Sequence, residues 1–153
     1  MRRSPSCAPV GLTLAIGGLL ALGACGSDSP SEPEAEEQEI TFTASGEGCA
    51  VSFWRAEENL VHWPEARQPG RSAGEFFPDL THLDVLWSEG DGLNALGREA
   101  VASLLSADHP GVDFEITSSQ VGSAFRKAAG AGEYEGLKNV LSALNQRSCP
   151  LGG

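Results

Sequence analysis

Three stretches in the C-terminal half of the chain repeat apolar residues at three- and four-residue steps. Leu93, Leu96, Ala100, Val101, Leu104 and Leu105 fall on one face of a predicted helix that His109-Pro110-Gly111 ends. Thr117-Ser118-Ser119-Gln120 then has the spacing of a capping box, in which a hydroxyl and an amide satisfy reciprocal backbone groups at a helix start. Val121, Ala124, Phe125 and Ala128 follow in phase, and Gly130 is the predicted left-handed cap. Glu133 opens a third helix whose apolar positions are Tyr134, Leu137, Val140, Leu141 and Leu144. A shorter helix, capped by Asp79 or Thr81, runs to Trp87 with Leu83, Leu86 and Trp87 on one side and is broken at 90–92.

Upstream the pattern is less regular. Residues 40–44 alternate apolar and polar side chains, which predicts either a short strand or an extended arm. Residues 56–62 suit a short helix that must stop before Trp63-Pro64, because the residue before proline is driven into extended conformation. Residues 64–78 read as a loop held by aromatic side chains. From Gly46 onward the chain is rich in aromatic residues, with Phe53, Trp54, Trp63, Phe76, Phe77 and Trp87. The expected fold is therefore mainly α: a small helical domain over 40–153 with an irregular aromatic N-terminal third. No repeat of solenoid length is present.

The first 39 residues belong to a different kind of chain. After Arg2 and Arg3, residues 10–24 carry no charge, which predicts a secretory signal peptide over 1–24 that is too short for a membrane span. Its end, Leu22-Gly23-Ala24-Cys25, resembles the lipobox of bacterial lipoproteins. The resemblance implies cleavage before Cys25, diacylglycerol on its thiol and a palmitate-type chain on the new amino terminus. Residues 26–39 hold six acids, three serines and two prolines with no base, so they predict, with Cys25, an extended tether over 25–39, on the order of 30–45 Å long. Gly26, rather than Asp, follows Cys25. By analogy with lipoprotein sorting, this implies an address in the outer membrane of a diderm or on the outer face of a monoderm plasma membrane.

Cysteine count and charge then narrow the picture. Cys7 leaves with the signal peptide and Cys25 is capped by lipid, so Cys49 and Cys149 remain as an expected disulfide in an oxidising compartment. The full chain has a formal charge of −11; without Arg2 and Arg3, eight bases face 21 acids, giving −13. Such a surface repels nucleic acid and anionic headgroups. The bilayer is expected as a partner through the acylated Cys25 alone.

Residues 48–151 also resemble a module found in other exported bacterial proteins, usually at the C-terminus. The likeness rests on Gly48-Cys49, Phe53-Trp54-Arg55, Trp63-Pro64, the leucine-rich 83–86, the Arg-x-Ala-Val-Ala-x-Leu-Leu pattern of 98–105 and Cys149-Pro150-Leu151. It departs where such modules often carry Asn-His, having Ala56-Glu57, and where they often carry His, having Glu99. The resemblance implies the architecture and the disulfide, and brings no activity with it.

Candidate chemistry is sparse. Asp79, His82 and Asp84 offer two or three ligands, too few for a zinc site without His62 or His109 converging from afar, so no metal or other cofactor is predicted. There is no Gly-x-Ser-x-Gly elbow, phosphate loop or dinucleotide fingerprint, and no catalytic residue is assigned. Trp54, Arg55, Trp63 and Trp87 form the candidate binding face, since indole rings beside a guanidinium can stack on a sugar or peptide. Core packing is the stronger reading of the same rings, because a small domain needs bulky residues to fill its interior. The sequence thus points to a non-enzymatic, surface-tethered interaction module for an envelope protein or glycan. Its competitor is an envelope hydrolase or metal-dependent enzyme built on His62, His82, Asp79 and Asp84.

Overall fold

The computed structural model describes residues 45–74 and 77–152. The expected signal peptide, the lipidated Cys25, the acidic tether, the 40–44 strand and Phe76 lie outside the described residues.

The domain is mainly helical. Its elements are α1 (Val51–Trp54), two 3-10 turns (Glu57–His62 and Glu65–Arg67), α2 (His82–Trp87), α3 (Leu93–Asp108), α4 (Ser118–Ala131) and α5 (Tyr134–Asn145). Extended pairing among the described residues is limited to an isolated bridge between Ser72 and Thr81. No helix among the described residues is long and apolar enough to cross a membrane.

Local chemistry sets most of the boundaries. Thr81 rather than Asp79 caps α2, in a reciprocal box with Asp84, and Thr117 with Gln120 caps α4 in the same way. The left-handed residue that ends α4 is Gly132 (φ 73°), two positions beyond the expected Gly130, so the helix gains half a turn. The helix expected over 56–62 is a 3-10 turn at Glu57–His62, and Trp63 leaves it in the extended conformation that Pro64 demands. The single turn of α1, not foreseen in the sequence, is separated from Cys49 by Ala50 alone, the Phe53 and Trp54 amides donating to the Ala50 carbonyl.

Helix α3 is the central element and packs against α1, α2, α4 and α5. Its expected apolar stripe is a full girdle. Val101, Ala102 and Leu105 face Trp54, Trp63, Val85 and Leu86, whereas Leu96 and Ala100 face Ile116, Val121, Leu141 and Leu144. The girdle's polar members are satisfied across helices. Ser103 donates to Asn145 (3.0 Å), whose amide donates in turn to the Glu99 carbonyl (2.9 Å) and carboxylate (2.8 Å).

Cys49 and Cys149 form the expected disulfide, joining the segment before α1 to the segment after α5 across 100 residues. The closure is reinforced around it. Gly48 donates its N–H to the Ser148 carbonyl (3.2 Å), and Arg147 bonds the Ser45 carbonyl (2.8 Å) and the Glu115 carboxylate (2.7 Å). Glycine is required at position 48 by contact rather than by dihedral angle, because a Cβ there would stand 2.1 Å from the Leu144 carbonyl oxygen.

Candidate functional site

The four residues of the candidate binding face divide into two pairs with different fates. Trp54 is fully buried, its indole N–H donating to the Ser106 hydroxyl (3.3 Å) and its ring set edge-on to Phe53 at 5.2 Å. Ser106 also accepts the Cys49 amide (3.3 Å), so one buried hydroxyl fastens the tryptophan and the disulfide segment to α3. Trp63 is 5% exposed and donates its indole N–H to the Trp54 carbonyl (2.9 Å). Both are core, and the expectation that they line a binding face is corrected. Their polar ends are consumed inside the protein, and a small domain has few other residues bulky enough to fill the space around α3.

Trp87 and Arg55 do reach the surface. The α2 face that turns inward carries His82, Val85 and Leu86, so Trp87, expected to pack beside Leu86, points outward at 57% exposure. The guanidinium of Arg55 lies over its ring at 4.8 Å, within cation–π range. The Arg55 guanidinium has neither a hydrogen bond nor an ion pair among the described residues. In a chain with 21 acids and 10 bases, an arginine held on an indole instead of a carboxylate keeps its fork of donors free.

Arg55 and Glu99 line a cleft of about 350 Å³ with Val51, Ser52, Asn145 and Gln146. The Glu99 carboxylate is oriented by the Asn145 amide, and Asn145 is itself 1% exposed. A cation and a carboxylate, one fixed by stacking and the other by a buried amide, therefore border one concavity beside an exposed indole. Glu99 was not among the candidate residues. It shares a cleft with α1 because α1 packs on α3, and no local spacing announces that.

The residues of the competing enzyme reading do not assemble. Asp84 is engaged with the Thr81 hydroxyl (2.6 Å) and amide (2.9 Å), which holds its carboxyl below the usual range. His62 lies against Phe53 at 6.0 Å, Asp79 is exposed, and His82 is buried. A second cleft, of about 580 Å³, lies between α3 and α4, and neither cleft is lined by any of these four residues. Among the described residues, no group of three or more His, Cys, Asp or Glu side chains is placed to hold a metal ion.

Burial gives two histidines a consequence for stability. His82 is 4% exposed and its Nδ1 has no hydrogen-bond partner among the described residues. Burial, then the charges of Arg67 and Arg71, push its pKa below 6.5, against the opposing effect of a hydrogen bond to the Gln68 backbone. His109 is lowered too, by burial and by the neighbouring His62, and its Nδ1 accepts the Gly111 amide (3.0 Å), which requires an unprotonated nitrogen there. The unfolded chain thus takes up protons first as pH falls. Stability owed to the neutral rings is complete above pH 6.5 and is lost as pH drops from there toward the lower folded values. Urea midpoints measured at about pH 7.5 and 5.5 are expected to differ less for His82→Leu than for the native chain. Equal differences would show that His82 is not a source of the acid sensitivity.

No family of proteins, no curated protein and no solved structure matches this chain, so what the site does rests on its own geometry.

Proposed function

We propose that this chain is a lipid-anchored extracytoplasmic protein whose folded domain is a non-enzymatic interaction module for a glycan or protein of the cell envelope. The observation that carries the reading is the Arg55 guanidinium, stacked on an exposed Trp87 and facing the same cleft as the Glu99 carboxylate. Such a site offers an indole face to the apolar side of a sugar or a peptide side chain, with a donor fork and an acceptor at its edge. The anchor follows from the lipobox at Cys25 and the acidic tether after it. The Cys49–Cys149 bridge supports an oxidising compartment.

Photo-crosslinking in the cell from a reactive residue placed at Ser52, on the rim of the cleft, tests the site. A discrete envelope adduct is expected, abolished by Arg55→Gln and by Trp87→Ala while the protein stays folded. Adducts that survive both substitutions would reject this face as the binding surface. Labelling with an alkyne analogue of palmitate tests the anchor separately, with incorporation expected in the native chain and none in Cys25→Ala.

A further inference from the structure

The larger cleft has a different chemistry from the Arg55 site. Its floor comes from α3 and α4, with Val101, Leu104, Val121 and Phe125, and Phe77 closes one side. Its volume, about 580 Å³, lies within the range of small-molecule sites. One end is polar. Ser118 and Ser119 open α4 there, and Arg67 reaches in from the second 3-10 turn.

The charges at that end do not cancel. Arg67 is paired with Asp108 at 2.8 Å, and the Ser118 hydroxyl donates to the same carboxylate. Arg126 is exposed, and its guanidinium has neither a hydrogen bond nor an ion pair among the described residues. Its side chain turns back along α4 over Gly122, so that Nη1 would lie 3.5 Å from a Cβ at that position. Ser118, Gly122 and Arg126 follow at four-residue steps on one helix face, with the glycine leaving room for the arginine to lie down. An uncompensated guanidinium therefore overhangs an apolar floor in a chain whose formal charge is −11.

We infer that the cleft between α3 and α4 is a binding site for a single-chain anionic amphiphile, its apolar body on Val101, Leu104, Val121 and Phe125 and its head on Arg126. The anionic head, carboxylate or phosphate, supplies the charge that Arg126 lacks. The apolar body displaces water from the floor, and burying such surface favours binding. The cationic end selects for sign and the floor for chain length.

The test uses the unit spanning 37–153, which contains both core clusters and the disulfide and so carries its own folding determinants. Calorimetric titration below the micellar range compares decanoate and decyl phosphate with decanol and decyltrimethylammonium. Saturable one-to-one binding of one or both anions is expected, and which anion binds more tightly names the head group. Decanol should bind about tenfold or more weakly, and the cation weaker still. Arg126→Gln, an exposed substitution, should weaken the anions about tenfold while leaving decanol unchanged. Gly122→Leu fills the cleft where a Cβ meets only the end of a flexible arginine, and should remove binding of all four probes. Equal binding of anion and cation, undiminished binding in Gly122→Leu, or no saturable binding of either anion would each overturn the inference.

Discussion

Loss of the Cys49–Cys149 bridge is expected to lower stability by roughly 4–5 kcal/mol, the chain-entropy value for closing a loop of about 100 residues. That is comparable with the entire stability of many small domains. The double substitution Cys49→Ser with Cys149→Ser should therefore unfold at a much lower urea concentration than the native chain, and a reducing agent should move the native midpoint toward that of the variant. The bridge acts mainly on the unfolded chain, whose ends it holds together, so the folded helices need not change. A double variant whose midpoint coincides with that of the oxidised native chain would show that the contacts around the bridge, Gly48 to Ser148, Arg147 to Ser45 and Glu115, and the Glu47 amide to the Asp113 carbonyl (2.8 Å), already close the fold.

Trp54→Ala is expected to cost about 3–5 kcal/mol, the usual range for deleting a large buried aromatic side chain. Three effects combine there. The ring is fully buried among Phe53, Trp63 and Leu105, its removal strips the Ser106 hydroxyl of a partner, and the cavity opens beside the disulfide. Trp54→Phe should restore part of the loss, because it fills most of the volume without the indole N–H. Trp87→Ala is the internal control. That ring is more than half exposed, so its removal should change stability by no more than about 1 kcal/mol, the scale of an exposed cation–π contact. Equal destabilisation by Trp54→Ala and Trp87→Ala would contradict the division of the tryptophans into core and surface. The contrast also governs the choice of binding-site variants: loss of binding on Trp54→Ala or Trp63→Ala reports unfolding, whereas loss on Trp87→Ala reports the face itself.

Helices α3, α4 and α5 were legible because helical periodicity is local. A residue and its neighbours three and four positions along share a face whatever the rest of the chain does, and Thr117 with Gln120 marks a start using only four residues. The end of α4 was misplaced by two residues for the same reason. Gly130 and Gly132 are equally able to take a left-handed conformation, and the local sequence does not choose between them. The aromatic third carried no period to read. Val51–Trp54 is one helical turn and Glu57–His62 a 3-10 turn, both too short for an apolar face to repeat.

Residue types and their local spacing thus determined the mainly helical class, the capping boxes and, through the count of cysteines, the Cys49–Cys149 pair. These depend on interactions within a few residues or on chemistry that is indifferent to geometry. The tertiary structure alone decided which rings are buried, since Trp54 and Trp87 are equally apolar in sequence and differ only in what α3 offers them. Ser106 and Leu105 receive the first, and solvent and Arg55 the second. It also created both clefts. Glu99 shares a cleft with Arg55, and Arg126 overhangs Val101 and Leu104, only because α3 is packed on every side and brings together residues that no sequence spacing links.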